Sequence, residues 1–284
     1  MKSVTRIAPA KINLGLDIVG TRADGYHLLE TVFQAVSICD RVTVTLREDI
    51  QDITLRCADP AVPCDEKNIA WKAAARFCEA AGLVQGVEIL LEKHIPMQAG
   101  MGGGSTDGAA VLLALQELMG NPLSQEQLCQ IAVKLGADVP FFLYGGTAYA
   151  AGIGEELEQL PPFAGKHLVI AKGTAGVSTV EAYREIDSLQ NPKHPPVQQL
   201  RKALKQGADT AEIASLCGNL FEDAVHLPEV AEIRRIMLEQ GALCSVMTGS
   251  GAAVFGLFNE QETAEQACEI LKKHVDFAEV CETL

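Results

Sequence analysis

No stretch of this sequence approaches the roughly 18 consecutive apolar residues that cross a bilayer, so no membrane-spanning helix is expected. Met1 to Lys11 lacks a charged region followed by a long apolar run, and no signal peptide is expected from it. Positive charge is in short supply: 23 Lys and Arg stand against 37 Asp and Glu, a formal charge of −14. Proteins that grip a phosphate backbone gather cations to displace counterions, so no nucleic-acid partner is expected. An acidic chain still binds an anionic nucleotide where backbone amides and one or two cations line the site. The nine cysteines contain no C-x-x-C pair and the six histidines no metal-ligand spacing. Neither a disulfide framework nor a zinc site is therefore expected, and the cysteines read as reduced, cytosolic and mostly small core residues. Internal repeats and low-complexity segments are absent too.

What is present is ordinary globular material. A 48% hydrophobic fraction with 21% charge can bury a core, and 284 residues exceed what one core usually organises. Two domains are expected, 1–161 and 162–284, divided at Pro161-Pro162. Early strand patterns and later helices of mixed order place the chain in the α+β class. Ile12, Leu14, Leu16 and Ile18 alternate with Lys11, Asn13, Gly15 and Asp17, so the strand has one core face and one face suited to a cleft. Further strands are predicted at 26–37, 41–46, 53–57, 86–91, 147–150, 167–171, 244–247, 253–258 and 277–281. Helices are predicted at 68–81 with Gly82 as the stop, at 105–119, and from a Ser124/Gln127 capping box to Gly136. Two more are predicted at 229–240 and 260–274.

The segment from Pro96 through Met97, Gln98, Ala99, Gly100, Met101, Gly102, Gly103 and Gly104 to Ser105 and Thr106 carries the strongest chemical signal. Four glycines lead into a helix, so backbone N–H groups can turn around an anion while the helix start adds free amides and a positive dipole end. Ser105 can offer a hydroxyl to a phosphate or to its magnesium ion. The segment lacks the Gly-Lys-Ser/Thr of a P-loop, and its glycine spacing is wrong for a dinucleotide fingerprint. Asp138, in Gly-Ala-Asp-Val-Pro, follows a helix end, and Pro140 biases Val139 toward extended backbone. By itself it reads either as a turn carboxylate or as a general base. Lys11 reads either as a solvated strand lysine or as a site cation, and His27 as core or site.

With Ala8-Pro-Ala-Lys-Ile-Asn-Leu14 ahead of the glycine segment and Met247-Thr-Gly-Ser-Gly251 behind it, the chain resembles the GHMP kinases. Met101 stands where that family usually has Leu, and Asn219-Leu-Phe-Glu222 stands where Asn-Asp-Leu-Glu is common. Asp24-Gly-Tyr-His27, Leu135 to Phe142 and Gly145-Gly-Thr-Ala148 narrow the likeness to the branch that phosphorylates the 2-hydroxyl of a cytidine-diphosphate-linked polyol in isoprenoid biosynthesis. The resemblance implies a two-domain GHMP kinase fold with the active site in the cleft between domains. It also implies ATP and Mg2+ as cofactors, Asp138 as the base and Lys11 as the catalytic cation beside it. Asn68 and Lys93 would lie on the adenine side. Asn13, Tyr26, His27, Thr179 and Tyr183 would contact the substrate, the two tyrosines enclosing cytosine. Two alternatives stay open: another GHMP small-molecule kinase, acting on mevalonate or homoserine, and a noncatalytic nucleotide-binding regulator. Retention of both Lys11 and Asp138 argues against the regulator.

Overall fold

The computed structural model describes residues 2–84 and 86–284. The first half of the chain runs β1 (Lys2–Thr21), β2 (His27–Arg47), β3 (Ile53–Cys57), α1 (Ile69–Ala81), β4 (Gly86–Glu92), α2 (Gly103–Leu118), α3 (Gln125–Leu135) and α4 (Val139–Phe142). It continues with β5 (Thr147–Ala151), β6 (Glu156–Gln159), β7 (His167–Lys172), α5 (Thr179–Ser188), α6 (Val197–Gln206), α7 (Thr210–Leu216) and β8 (Gly218–Asn219). A 3-10 turn at Leu220–Asp223 leads to α8 (Pro228–Glu239), β9 (Cys244–Met247), β10 (Val254–Phe258), α9 (Gln261–Leu271) and β11 (Phe277–Glu282). The class is α+β, as expected.

Packing groups the chain into two interleaved units. The first draws on Met1–Ala10, Ile38–Ile95 and Gly102–Tyr144, the second on Lys11–Ser37, Pro96–Met101 and Gly145–Leu284. The expected cut at 161/162 divides the sequence, whereas these units divide the packing, and β1 and β2 each give one end to each unit.

In the first unit the strand order is β3-β4-β2-β1. β2 pairs antiparallel with β4 from Arg41↔Glu92 to Arg47↔Gly86, and β3 runs parallel to β4. Val42, Val44 and Leu46 alternate inward from β2, and Ile89 and Leu91 do so from β4. The helices α1 and α2 pack against each other, with Ala73, Ala74, Phe77, Val111 and Leu115 buried. Asn68 caps α1 by accepting Ala70 N–H at 2.9 Å, and Gly82 ends it in the left-handed region at φ 63°. The capping box of α3 is complete, Ser124 Oγ and Gln127 Oε1 each accepting the other's backbone N–H.

In the second unit the order is β6-β5-β2-β1-β8, with β8 parallel to β1 at Gly15↔Gly218 and Leu16↔Asn219. An antiparallel sheet, β11-β7-β10-β9, carries α8 and α9, and its core holds Val169, Val254, Phe258, Ile233, Met237, Ala267 and Leu271.

Four expectations are corrected. The strands predicted at 26–37 and 41–46 are one strand, because no Gly or Pro interrupts 37–41 and Asp40 is sealed in by backbone donors from His94 and Ile95. Lys11 is not a solvated strand lysine: it is 3% exposed, and Asn13 beside it 2%. Val139 opens a short helix instead of extended backbone, since Val139 N–H bonds Gly136 O at 3.1 Å and Pro140, in the first turn, has no N–H that needs a partner. Only Cys268 and Cys281 of the nine free cysteines are buried, so the cysteines are not mostly core.

Gly108 lies inside α2, where glycine costs about 1 kcal/mol relative to alanine. A Cβ there would lie 2.7 Å from Ile69 Cγ2, an atom fixed by β-branching. We expect Gly108→Ala to destabilise the protein on denaturant titration, overpacking of about 1–3 kcal/mol outweighing the gain in propensity. Combined with Ile69→Ala it should cost less than the two single losses added. A stabilised Gly108→Ala would contradict this packing.

Candidate active site

In the second unit, the strand that carries Lys11 is fixed to the glycine segment through Lys11 N–H, which bonds Met101 O at 3.0 Å. The Lys11 ammonium donates to Asn13 Oδ1 and to Gly100 O, both at 2.7 Å, and sits 5.3 Å from the centre of the Phe33 ring. A charge this buried requires oriented acceptors. Asn13 supplies one because its own amide is oriented: Oδ1 also accepts Gly249 N–H at 3.0 Å and the Thr248 hydroxyl at 3.2 Å, while Nδ2 donates to Thr31 Oγ1 at 2.8 Å.

Gly100 and Gly249 are required by close approach. Both have positive φ, 73° and 58°, a Cβ on Gly100 would run into Thr248 O, and one on Gly249 would lie 2.9 Å from Gly100 Cα. Two backbones touch where no side chain fits. Ala99 O accepts Ala253 N–H at 3.3 Å beside them. Gln98 has φ 51°, and its side-chain oxygen packs on Gly176; Met97 is exposed. The Lys11–Leu14 part of the first motif, the third motif and the Pro96–Met101 half of the glycine segment therefore meet within one unit.

The other half belongs to the first unit. Gly102, at φ 71°, precedes α2 without a side-chain cap, and its carbonyl accepts Thr106 N–H at 2.9 Å. The N–H groups of Gly103, Gly104 and Ser105 thus stand in the first turn, where a helix has no carbonyls of its own to offer them. With the dipole these free amides suit an anion. The helix begins at Gly103, two residues before the predicted start.

Asn68 and Lys93 both have local partners here. Asn68 caps α1 and donates to Pro63 O at 2.8 Å. Lys93 bridges two buried carboxylates, Asp40 and Asp107, the latter at 2.6 Å. Asp107 Oδ1 is buried and has no hydrogen-bond partner among the described residues. Burial pushes the Asp107 carboxyl up to about 7, against the pull of Lys93 and with help from Asp40. Burial draws the Lys93 ammonium down, but the two carboxylates outweigh it and its pKa ends above the ordinary lysine value. Asp138, also in the first unit, precedes α4 without capping it by its side chain.

In the second unit His27 stacks on Tyr183, ring centres 4.5 Å apart, and its Nε2 lies 2.7 Å from Asp187 Oδ1. Phe221 meets Tyr183 edge-on at 5.1 Å. Tyr26 is 59% exposed, with the Arg22 guanidinium 5.6 Å from its ring centre. Thr179 Oγ1 lies 3.0 Å from Ser250 Oγ, joining the start of α5 to the third motif. Sequence reasoning missed Asp187, Thr248 and Asn219 as members of this network. The Asn219-Leu-Phe-Glu222 resemblance was the available signal for the last.

Residues 68–146 match the GHMP kinases N terminal domain and residues 197–276 the GHMP kinases C terminal family. The chain is 39% identical over 282 residues to a 4-diphosphocytidyl-2-C-methyl-D-erythritol kinase from Clostridium tetani, covering 98% of this chain and 99% of that one. It is 43% identical over 265 residues to the kinase of the same name from Pelotomaculum thermopropionicum, covering 93% and 92%. A crystal structure of 4-(cytidine 5'-diphospho)-2C-methyl-D-erythritol kinase superposes with a TM-score of 0.82 at 37% identity, covering 99% of each chain.

Lys93→Met leaves two buried carboxylates without their cation. We expect a loss of about 3–5 kcal/mol near neutral pH, the usual cost of breaking a buried pair. The Asp107 carboxyl is held above its unfolded value, so its ionisation already erodes stability as pH rises from about 4 to about 7. Without Lys93 that window extends upward. The variant's deficit on denaturant titration should therefore be larger at pH 8 than at pH 5.5, and equal deficits would rule out this linkage.

Proposed function

Because the chain belongs to the 4-diphosphocytidyl-2-C-methyl-D-erythritol kinases of the GHMP family, we propose that it phosphorylates the 2-hydroxyl of that cytidine-linked polyol with ATP. The product serves the methylerythritol phosphate route to isoprenoids. The observation that carries the mechanism is the Lys11 ammonium, held by Asn13 and Gly100 O at the glycine segment. An oriented cation in a dry setting stabilises charge that develops during transfer and costs no reorganisation.

In this reading the first-turn amides of α2 and the glycine segment bind the ATP phosphates, with 1–161 as the ATP-binding domain and 162–284 as the second. Asn68 and Lys93 lie toward the adenine. The substrate hydroxyl oxygen attacks the γ-phosphorus, the bond to the β–γ bridging oxygen breaks, ADP leaves, and Asp138 takes the hydroxyl proton. Mg2+ that arrives with the nucleotide needs only one or two protein oxygens. The Ser105 hydroxyl in the first turn of α2 fits that requirement, and the metal would neutralise phosphate charge. Tyr26 and Tyr183 take the cytosine, and His27, Thr179 and Asn13 supply polar contacts.

Among the described residues no helix is long and apolar enough to cross a membrane. We place the reaction in the cytoplasm, a setting that suits nine free thiols. A mevalonate or homoserine acceptor is disfavoured by Tyr26-His27 and the Gly-Ala-Asp-Val-Pro segment.

ADP release with MgATP should be fastest with the cytidine-linked methylerythritol in a panel that includes mevalonate and homoserine. Equal rates across the panel would reject the assignment. Asp138→Asn removes the proton acceptor at constant shape, so kcat should fall by about 10²–10⁴ with ATP binding kept. A variant within about threefold of the parent would exclude Asp138 as the base.

Tyr183→Ala removes one stacking face and its buried area. The KM for the cytidine-linked substrate should rise about three- to thirtyfold while that for ATP moves little. Parallel changes in both constants would separate Tyr183 from cytosine binding.

A further inference from the structure

The reaction as described gives no task to Asn219, yet its side chain is almost fully buried and every one of its polar atoms is used. Nδ2 donates to Met247 O at 2.6 Å and to Gly249 O at 2.8 Å, and Oδ1 accepts Phe221 N–H at 3.0 Å. The nitrogen faces two carbonyls and the oxygen faces an N–H, so the flipped amide would lose all three bonds. Nearby, Glu222 Oε1 accepts Met247 N–H at 2.8 Å, while Oε2 lies 3.2 Å from Arg234 Nη1. Arg234 Nε in turn donates to Ser245 O at 3.0 Å. The turn at Met247–Gly249 is thus held from one side by Asn219 and Glu222, with Arg234 backing Glu222 and the adjoining Ser245.

On its other side the same turn faces Lys11 through Asn13. Thr248 Oγ1 accepts Asn13 N–H at 2.9 Å, and the Thr248 hydroxyl and Gly249 N–H both donate to Asn13 Oδ1, the oxygen that receives the Lys11 ammonium. Asn219 is also registered directly on the strand that carries Lys11, since β8 pairs Asn219 with Leu16. From Asn219 through Gly249 and Asn13 to Lys11 each link is a bond between oriented, buried groups, so a displacement at one end has no solvent to absorb it.

We propose that Asn219 is a positioning residue for phosphoryl transfer. It fixes the carbonyls of Met247 and Gly249, so that the turn presents its two donors to Asn13 and Asn13 holds the Lys11 ammonium in place. The inference rests on the reading of Lys11 as the catalytic cation. It differs from a packing role in one measurable way: the effect of Asn219 on turnover passes through Asn13.

The experiment is a double-mutant cycle on the full chain, with kcat and both KM values measured for the parent, Asn219→Ala, Asn13→Ala and the double variant. Misplacing a catalytic group by about 1 Å costs on the order of 10²-fold, so Asn219→Ala should lower kcat roughly 10- to 100-fold while KM for ATP stays within about threefold. In the Asn13→Ala background the link is already cut, and adding Asn219→Ala should lower kcat by less than about threefold. If Asn219→Ala does not fold, Asn219→Ser, which keeps one donor, takes its place in the same cycle. Losses that multiply in full, or a folded Asn219 variant with parental kcat, overturn the proposal. Lys11→Ala separates the two failures. Lost turnover there beside parental turnover in the Asn219 variant defeats this proposal alone, whereas parental turnover in Lys11→Ala defeats the reading of Lys11 and this inference with it.

Discussion

The constraint on which the second unit depends is a buried ammonium. Taking a lysine head group out of water costs several kcal/mol unless fixed acceptors replace its hydration, and Lys11 is 3% exposed. One acceptor is the carbonyl of Gly100, presented in that orientation because the residue sits at φ 73° against the backbone of Thr248 and Gly249. Another is the side-chain oxygen of Asn13, whose amide is turned by three further bonds. The first and third motifs are therefore parts of a single solvation shell built around one charge. Gly100 and Gly249 meet those demands through their lack of a Cβ.

The first unit solves a related problem differently. Lys93 is charged and nearly buried between two carboxylates, and Asp40 receives two backbone N–H groups as well. The cluster joins the interior of β2, the exit of β4 and the second turn of α2. Asp40 and Lys93 precede the glycine segment and Asp107 follows it, so the ion contacts tie the start of α2 to β2 and β4. Leaving Asp107 with a carboxyl displaced upward to about 7 is the cost of anchoring that turn through buried charge.

Local signals in the sequence identified the elements they govern. The capping box of α3, the Gly82 stop, and the β9, β10 and α9 run near the C-terminus follow from residues a few positions apart. Contacts between distant positions were not legible. Lys93 reads as a lysine near a glycine segment until Asp40, 53 residues upstream, is folded against it. The burial of Lys11 and Asn13 could not come from strand alternation, which separates two faces but cannot say that the polar one is also covered. Gly108 reads as a weak helix position until Ile69 is seen to occupy the space of its Cβ. Resemblance by motif reached further than periodicity because the motif residues are those with positive φ, close backbone approach or buried polar groups, and these tolerate few substitutes.

The overall charge of −14 opposes the approach of a ligand as anionic as ATP, and distance resolves the conflict. At physiological ionic strength charges more than about 8 Å apart in solvent are largely screened, so exposed acidic pairs such as Glu232 and Glu239 with Arg235 contribute little at the glycine segment. Inside each unit screening is weak, and what the first offers an anion is the free amides of a helix start, while the second offers a desolvated lysine. None of these needs a surplus of basic residues. An acidic surface and an anion site can therefore belong to the same chain, because oriented backbone amides or one well-held cation act locally where surface charge is screened.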